Sequence, residues 1–370
     1  MNSFKEKTEE ILSLAGIKIN GPDPWDIQVH DERLYGRVLS QGSLGLGESY
    51  MDGWWDCDRL DEFSNRLHKA HIDKKVKPMS MIFHFLKARL TNRQNKRRAK
   101  IVGEKHYDLG NDFYAFMLDK RMVYTCGYWK NANNLDEAQE HKLELVCRKI
   151  GLEPGMKILD IGCGWGSFAK YAAEKYKARV VGITVSKEQV ELAKEICHGL
   201  PVEIRFQDYR DVDEKFDRII SLGMFEHVGY KNYRAYMEVA ERNLKERGLF
   251  LLHTIGGNES LTIVDPWLEK YIFPNSLIPS IKQISAAMEG LFVMEDWHNF
   301  GPDYDKTLMA WFANYDRNWP QFKQQFDERF YRMWKYYLLI CAGSFRSRSN
   351  QLWQIILSKG DRKEAYQSIR

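Results

Sequence analysis

The 370-residue chain is longer than one hydrophobic core usually serves, so its length predicts two domains. Hydrophobic residues make up 44% and charged residues 29% of the sequence, a composition that argues against both a disordered and a membrane-spanning protein. The net charge of +4 is too small to indicate a partner, and six cysteines without a CxxC pair argue against a zinc site or a redox dithiol.

The amino-terminal end, MNSFKEKTEE, lacks the basic and then apolar order of a signal peptide. No apolar run reaches the roughly 20 residues that a bilayer-spanning helix needs. We therefore expect a cytoplasmic protein whose membrane contact is peripheral, at the inner face. Residues 1 to about 70 are expected to form short helices and turns, as part of a smaller, mainly helical amino-terminal domain over residues 1–100.

Basic residues become dense between residues 73 and 100, on both sides of the apolar stretch MSMIFHFLKARL. They are Lys74, Lys75, Lys77, Lys87, Arg89, Arg93, Lys96, Arg97, Arg98 and Lys100. A solvated linker is one interpretation. A helix that lies on an anionic lipid surface fits better, because basic residues attract the surface while the apolar side chains embed. The chain shows no recognised nucleic-acid module, so a nucleic-acid partner is not expected.

From Ile158 onward, strand-like and helix-like segments alternate as in a parallel α/β sheet. The predicted strands are KILDIG, RVVGIT, VEIRFQD, DRIISLG, GLFLLHT and LWQIILSKG. This pattern predicts a doubly wound, Rossmann-like catalytic domain over residues 101–370. Beyond Asn258 we expect aromatic-rich helices, with loops at PNSLIPS and NFGPDYDKT.

The segment LDIGCGWGSF places Asp160 at the end of a strand, with Gly162, Gly164 and Gly166 in the following turn. Glycine allows backbone N–H groups to approach a ligand. A dinucleotide site would need an acidic residue about 20 positions on, where Thr184 and Ser186 stand instead. The pattern resembles motif I of class I S-adenosylmethionine methyltransferases. A purely structural turn and a nicotinamide or flavin site remain as alternatives.

Two further strand ends carry polar residues suited to the same cofactor. In TVSKEQ after the second strand, ribose contacts are expected from Thr184, Val185, Ser186 and Gln189. After the third strand, Gln207 and Asp208 are suited to hydrogen bonds with an adenine edge. A plain strand-end turn is the alternative interpretation of the latter pair.

Candidate chemical groups follow the next two strands. DRIISLG leads into Glu226 and His227, and GLFLLHT carries His253 as its last residue but one. If these strands are neighbours, Glu226 and His253 face the same crevice. A second cluster, YTCGYW, joins the Cys126 thiol to tyrosine and tryptophan rings, which suits a sulfonium cofactor and a cationic intermediate.

Ten motifs in this order resemble the bacterial cyclopropane fatty acid synthases, over about residues 36 to 358. They are GSLGLGESYMDGWW, HYDLGNDFY, YTCGYW, LDIGCGWG, QDYRD, GMFEHVG, LLHTIG, YIFPN, MEDWHNFGPDYDKTLMAW and CAGSFRSR. The related mycolic acid methyltransferases share most of the second domain but generally lack the GESYMDGWW domain. The synthases are therefore the closer match.

The resemblance implies that an alkene in an unsaturated phospholipid acyl chain attacks the methyl group of S-adenosyl-L-methionine. The resulting carbocation loses a proton and closes to a cyclopropane, with a bound bicarbonate ion as the base. The family's ion ligands match Cys126, Glu226, His253, the Ile255 backbone and Tyr304. Its cofactor contacts match Tyr124, Thr125, Gly162, Gly164, Thr184, Ser186, Gln189, Gln207 and Asp208.

Cys341, in CAGSFRSR, matches a cysteine proposed as catalytic in the family. The chemistry needs no covalent enzyme intermediate, so a packing thiol is the favoured interpretation. The resemblance also implies a homodimer and a phospholipid bilayer as partner. Two rival hypotheses are a methyltransferase that acts on an amine, hydroxyl or sterol carbon, and a non-enzymatic lipid-binding protein on the same fold.

Overall fold

The structure, a computed structural model, describes residues 2–72, 110–360 and 364–370. The predicted basic segment, residues 73–100, lies outside the described residues. Within the described ranges none of the helices combines the length and the hydrophobicity that a membrane crossing requires. Two compact units form, and each contains more than one stretch of the chain.

The first unit contains Met1–Thr91, Thr262–Pro274 and Tyr304–Asn350. Its helices and strands come from the beginning of the chain and from a later part of the sequence. They are α1 (Asn2–Ser13), β1 (Gln28–Val29), α2 (Arg33–Gln41), α3 (Ser43–Met51), β2 (Trp55–Asp56), α4 (Leu60–Lys69), α10 (Pro266–Tyr271), most of α12 (Pro302–Asn318) and α13 (Glu328–Arg346). The units are thus not the two continuous segments, 1–100 and 101–370, that the sequence predicts.

A buried aromatic cluster forms the centre of the first unit. Tyr50 stacks on Tyr336 at 5.3 Å between ring centroids and meets Trp55 edge to face at 5.1 Å. Trp267 packs edge to face on Tyr336 at 4.7 Å. The motif GESYMDGWW therefore supplies core side chains that join the early helices to α10 and α13.

The second unit contains Asn92–Leu261, Asn275–Asp303 and Gln351–Arg370. It is built on a sheet with the strand order β5-β4-β3-β6-β7-β9-β8. The strands are β3 (Lys157–Ile161), β4 (Arg179–Thr184), β5 (Val202–Phe206), β6 (Phe216–Leu222), β7 (Leu244–Gly257), β8 (Val293–Asn299) and β9 (Asn350–Ser358). Strands β3 to β7 pair in parallel, whereas β8 and β9 are antiparallel.

Helices cover both faces of this sheet, because its strands are apolar on both sides. They are α5 (Asn111–Met117), α6 (Leu135–Lys149), α7 (Ser167–Tyr176), α8 (Lys187–Ile196), α9 (Tyr233–Asn243) and α11 (Ile281–Met288). Apolar residues of α6 and α7 form one core cluster with the sheet, and those of α9 and α11 form another. This arrangement confirms the predicted doubly wound domain.

Two predictions for the region beyond Asn258 are wrong. Residues Val293–Asn299 form strand β8 and not a helix, although Glu295 and Asp296 interrupt the apolar pattern of the segment. The second predicted loop is shorter than expected, since helix α12 begins at Pro302, whose fixed φ angle suits a first helical turn. The first predicted loop lies between α10 and α11, as expected.

Candidate active site

The glycine turn after β3 has a backbone conformation that glycine adopts without strain. The φ angles of Gly162, Gly164 and Gly166 are +82°, +55° and +81°. A Cβ at Gly162 would lie 2.8 Å from the Met224 side chain, whereas a Cβ at Gly164 would meet nothing within 4 Å. The backbone at Gly164 is therefore bordered by open space next to the start of α7, where N–H groups favour an anionic ligand group.

The segment that carries Thr125 is held by two side chains of α6. Gln139 Nε2 donates a hydrogen bond to the Thr125 carbonyl oxygen at 2.7 Å, and Lys142 Nζ donates to Thr125 Oγ1 at 2.7 Å. A Cβ at Gly223, directly after β6, would lie only 2.6 Å from Thr125 Cγ2. Glycine at position 223 therefore permits the close approach of this segment to the sheet.

Aromatic rings connect Tyr124 to the glycine turn. Tyr124 meets Tyr114 of α5 edge to face, with 5.5 Å between the ring centroids. Tyr114 lies 5.1 Å from Trp165, which stands within the glycine turn. Trp165 Nε1 donates to Asn111 Oδ1 at 2.8 Å. These contacts place a group of aromatic side chains beside the turn.

Two buried ionisable groups lie close to this segment. Burial raises the pKa of the Asp160 carboxyl to about 7, although the positive charge of Lys142 opposes the shift. Burial lowers the pKa of Lys142 to about 8, opposed by the negative charge of Asp119. Asp160 Oδ2 has no hydrogen-bond partner in the part of the chain that the structure describes. Asp160 is therefore available to a positively charged ligand group.

The predicted ribose residues form a small polar cluster where β4 ends and α8 begins. Thr184 Oγ1 donates to Gln189 Oε1 at 2.8 Å, and Ser186 Oγ accepts the Gln189 N–H at the start of α8 at 3.4 Å. Val185 between them is partly exposed. The cluster lies at the carboxyl edge of the sheet, next to β3 and its glycine turn.

The predicted adenine residues make contacts within their own turn. Gln207 Nε2 donates to the Asp211 carbonyl oxygen at 2.9 Å. The Asp208 carboxylate accepts hydrogen bonds from the Arg210 guanidinium at 2.8 and 2.7 Å. The adenine contacts predicted for both residues stay predictions.

Glu226 is the central acidic residue of the site. It lies in the 3-10 turn Phe225–His227 that follows β6. Its Oε1 accepts the N–H of Ile255 at 2.7 Å, whereas its buried Oε2 has no hydrogen-bond partner among the described residues. Burial raises the pKa of this carboxyl to about 7, opposed by the hydrogen bond from Ile255. One oxygen is thus fixed and the other is available to a ligand.

His253 lies on β7, directly opposite the last residue of β6. The register pairs His253 with Leu222, and the His253 carbonyl oxygen accepts the Gly223 N–H at 2.9 Å. Its Nδ1 is 3.3 Å from Gln354 Nε2, and its Nε2 is buried without a partner within the described ranges. Burial, assisted by the charges of Lys142 and Lys149, lowers the pKa of this imidazole well below its usual value. The ring is therefore neutral.

The remaining predicted groups divide between the two units. The buried Cys126 thiol donates to the Gly127 carbonyl oxygen at 3.1 Å and belongs to the second unit, with Glu226 and His253. Tyr304 belongs to the first unit and packs on Phe345 at 4.5 Å between ring centroids. The predicted place of Tyr304 among the ion ligands stays a prediction.

Cys341 also belongs to the first unit, on α13. Burial raises the pKa of its thiol to about 12, so the group stays protonated at neutral pH. A nucleophilic cysteine requires the thiolate. This protonation state supports the packing interpretation of Cys341.

Sequence reasoning did not find Gln139, Lys142 or Gln354, which are all fully buried. A signal existed for the first two, since Gln139 and Lys142 interrupt the apolar face of α6 at helical spacing, next to Leu143 and Val146. A polar residue on the buried face of a helix requires a partner. Gln354 lies in a continuous apolar strand and carries the same signal.

Comparisons with known proteins identify the family. The family model described as mycolic acid cyclopropane synthetase matches residues 94–355, well over half of the chain. The chain belongs to the mycolic acid cyclopropane synthetase family. Its relatives include the cyclopropane-fatty-acyl-phospholipid synthase of Escherichia coli K12, with 54% identity over 95% of this chain and 92% of the relative.

Solved structures agree with this membership. A mycolic acid cyclopropane synthase complexed with SAH (S-adenosylhomocysteine) and CTAB has a TM-score of 0.65 and 33% identity, over 70% of this chain and 98% of the other. A coclaurine N-methyltransferase has a TM-score of 0.70 at 22% identity, over 85% of this chain and 99% of the other, and supports the fold alone. Membership in the cyclopropane synthetase family confirms the predicted resemblance, the methyltransferase fold and the enzyme class.

The residues of this family member fit the cofactor that the class uses. S-adenosylmethionine carries a carboxylate, an ammonium group and a sulfonium group. The open space at Gly164 admits backbone contacts to an anionic group, and Asp160 Oδ2, which has no partner within the described ranges, suits a cationic one. The prediction of this cofactor therefore agrees with the geometry of the turn.

Proposed function

We propose that this enzyme transfers a methylene group from S-adenosyl-L-methionine across the cis double bond of unsaturated acyl chains in membrane phospholipids. The products are cyclopropane fatty acyl chains. The observation that carries the proposal is the 54% identity to the E. coli synthase over 95% of the chain, and Glu226 and His253 lie within the matched family model.

The first set of proposed roles concerns the cofactor, which when bound supplies an electrophilic methyl group. Backbone groups at Gly162, Gly164 and Gly166 contact its amino-acid part. Tyr124 and Thr125 border the methyl donor, and Thr184, Ser186 and Gln189 hold the ribose. Support comes from the open space at Gly164 and from the two hydrogen bonds that fix the Thr125 segment.

The second set of proposed roles concerns the base that removes a proton during methylene transfer. We assign the base to a bicarbonate ion held by Glu226 and His253. Ionised Glu226 Oε2 accepts the O–H of the ion, and His253 donates to an anionic oxygen. Support comes from Glu226 Oε2 and His253 Nε2, which are buried and have no partner in the part of the chain that the structure describes. Cys126, Tyr304 and the Ile255 backbone complete the set by resemblance to the family.

A dry pocket is the physical requirement of this chemistry, because water would trap a carbocation on the acyl chain. Aromatic faces stabilise positive charge without offering a nucleophile. Tyr124 and Tyr128 are the aromatic residues that we assign to this role. Tyr128 packs on Phe300, which in turn lies 5.9 Å from the His253 ring.

The substrate double bond lies inside a bilayer, so the proposed enzyme works at the cytoplasmic face of a membrane. The proposal assigns bilayer contact to the amino-terminal part of the chain and to the basic segment 73–100. It also includes a homodimer, since two copies multiply weak contacts with the surface. The chain's charge distribution and the family resemblance support these roles.

A product analysis tests the proposal. The purified chain is incubated with S-adenosylmethionine and vesicles of cis-unsaturated phospholipid, and the acyl chains are analysed by mass and for remaining double bonds. A gain of one methylene with loss of the double bond is the expected result. A matched incubation without cofactor controls for chemical loss of the alkene.

Other outcomes select the rival functions. Unaltered acyl chains, from protein that is folded and binds the cofactor, would overturn the proposal. Methyl transfer to an amine or hydroxyl acceptor under the same conditions would identify a different methyltransferase. Vesicle binding without any use of the cofactor would identify a lipid-binding protein.

A further inference from the structure

Gln354 is a polar side chain in an otherwise apolar part of the sheet. It lies on β9, between β7 and β8, and is fully buried among Leu352, Trp353, Ile355 and Ile356. Burial of an amide without compensation costs free energy. Its hydrogen-bond partner within the described residues is His253, whose Nδ1 is 3.3 Å from Gln354 Nε2.

The orientation of the Gln354 amide determines the tautomer of His253. With Nε2 next to the imidazole, the amide donates to Nδ1 and one carbonyl oxygen, Oε1, stays unpaired. The flipped amide would instead place Oε1 next to the ring, where it would accept a hydrogen bond from a protonated Nδ1. In the orientation that the structure shows, the amide nitrogen can only donate, so Nδ1 of His253 is the hydrogen-bond acceptor.

A neutral imidazole carries a single N–H, so an accepting Nδ1 places the proton on Nε2. Burial and the charged groups around the ring keep it neutral. Burial is the main reason that a second proton is disfavoured, and the charges of Lys142 and Lys149 on α6 add to it; His298, the β8 residue opposite Gln354, is itself a neutral base. The Nε2–H group is buried and has no partner within the described part of the chain.

We propose that Gln354 is a positioning residue that fixes His253 in the Nε2–H tautomer, so that a buried donor faces the anion that serves as base. The inference deepens the proposed function and rests on it for the identity of the anion. The opposite tautomer would direct a lone pair towards an anionic oxygen and repel it. A hydrogen bond to an ionised acceptor is stronger than a neutral one, especially away from water.

The tautomer is measured directly by nitrogen NMR of the full chain labelled with ¹⁵N-histidine. The His253 signals are assigned by their absence in His253→Asn. We expect the wild-type protein to show a protonated Nε2 and an unprotonated Nδ1. In Gln354→Glu, a carboxylate replaces the amide donor with an acceptor, so the proton should move to Nδ1.

Turnover of Gln354→Glu should fall by about 10²-fold, in the range that a misplaced proton-handling group costs, with unchanged affinity for S-adenosylhomocysteine. Gln354→Leu removes the hydrogen bond that selects the tautomer. It should therefore give a mixture of tautomers and a smaller loss of turnover. Gln351→Glu is the matched control on the same strand, because its carboxylate still accepts from Asn299 Nδ2, as Gln351 Oε1 does at 3.1 Å. Its tautomer and turnover should equal those of the wild type.

Each result decides a separate question. A wild-type His253 with its proton on Nδ1, or a Gln354→Glu variant that keeps the wild-type tautomer and turnover, would overturn the role of Gln354. The wild-type spectrum gives this answer even if a variant fails to fold. A correct tautomer in a protein that never cyclopropanates acyl chains would instead reject the proposed function and leave the Gln354 assignment intact.

Discussion

Glu226 and His253 each hold one polar atom inside the protein without a partner in the described residues. Such an atom typically costs about 1–3 kcal/mol of folding free energy. A ligand that provides the missing hydrogen bond would offset this cost. Glu226 follows β6 and His253 lies on the adjacent parallel strand β7, so the sheet brings both residues to the same edge. This pairing is the residue-scale signature of the site.

Substitution of Glu226 tests that signature. In Glu226→Gln the side chain keeps its size but loses the charge that accepts the O–H of the ion. We expect turnover to fall by about 10²-fold or more, while affinity for S-adenosylhomocysteine stays within a factor of about two, because Glu226 does not contact the cofactor in the proposed arrangement. Product analysis and calorimetric binding measure the two quantities.

Glu238→Gln provides the control for this substitution. Glu238 is an exposed residue of α9 that pairs with Arg234, so the same chemical change occurs at a solvated side chain that already has a partner. Its turnover should equal that of the wild type. Near-normal turnover in Glu226→Gln would remove Glu226 from the active site.

The pKa of Asp160 and the charge of Lys142 allow a prediction of how cofactor binding depends on pH. Burial raises the pKa of Asp160 to about 7. The carboxyl group is therefore mostly ionised, and attracts a cationic ligand group, only when the pH exceeds about 7. Affinity for S-adenosylhomocysteine should therefore increase as the pH rises through about 7. Because the Lys142 charge lowers the pKa of Asp160, Lys142→Met should move this increase to higher pH.

Calorimetric titrations across this pH range give the midpoint for each variant. Asp160→Asn cannot ionise and should bind with an affinity that is nearly independent of pH. An identical pH dependence in Asp160→Asn and in the wild type would assign the effect to another group.

At the scale of elements, one substitution in the turn between β3 and α7 and one before β3 can distinguish backbone strain from loss of ligand contact. Gly164→Ala and Gly155→Ala both place a methyl group on a backbone with positive φ, and in both cases nothing lies within 4 Å of the new Cβ. Each should lose about 1–2 kcal/mol of unfolding free energy. Only Gly164→Ala should also weaken S-adenosylhomocysteine binding, because only its methyl group enters the cofactor space.

Denaturant unfolding and calorimetry measure the two effects separately. Gly155 precedes β3, so its variant reports the strain without the site. Equal cofactor affinity in the two variants would contradict the proposed path of the cofactor over Gly164.

Elements with strong periodicity could be predicted from the sequence, and those with mixed patterns could not. The apolar runs that became β3, β4, β6 and β7 were identified because strands covered on both faces are continuously hydrophobic. Strand β8 was missed, since Glu295, Asp296 and His298 interrupt its apolar pattern. Asp296 is nevertheless buried, held by Arg370 and Ser368 from a distant part of the chain.

The same distinction applies to the site. Glu226, which follows β6, and His253, which lies on β7 opposite the last residue of β6, could be predicted because parallel topology alone brings them to one edge. The apolar pattern around Gln354 and Lys142 indicates that they are buried, but their roles could not be predicted, since these depend on partners 101 and 17 positions away and on side-chain orientation. A pattern of single residues does not contain this information.

At the scale of the whole molecule, the family motif GESYMDGWW contributes to packing within the first unit rather than to chemistry. Glu48 in GESYMDGWW is buried and accepts hydrogen bonds from Lys270, at 2.5 Å, and from Tyr271. These contacts and an ion pair with Arg37 lower the pKa of Glu48 to about 2, against the effect of burial. The motif therefore joins α3 to α10 within the first unit.

The basic segment outside the described residues gives a prediction for the molecule as a whole. Neutralising Lys96, Arg97, Arg98 and Lys100 together should weaken binding to anionic vesicles, most strongly at low salt, where charges are least screened. Vesicle sedimentation at two salt concentrations measures the effect. Turnover on detergent-dispersed lipid should change less than turnover on vesicles.

A matched control neutralises four exposed lysines elsewhere: Lys175, Lys187, Lys194 and Lys215. This variant has the same net charge as the first. If both variants lose vesicle binding equally, overall charge and not the basic segment would account for the attraction.

The position of β9 has a consequence for how the chain folds. This strand is the last in the sequence, yet it pairs on one side with β7 and on the other with β8. Until it is inserted, both neighbours present unsatisfied backbone edges, which invite pairing with other chains. Such long-range pairing is slow to form. Refolding should therefore be concentration-sensitive, and the donor to His253 is among the last contacts to be established.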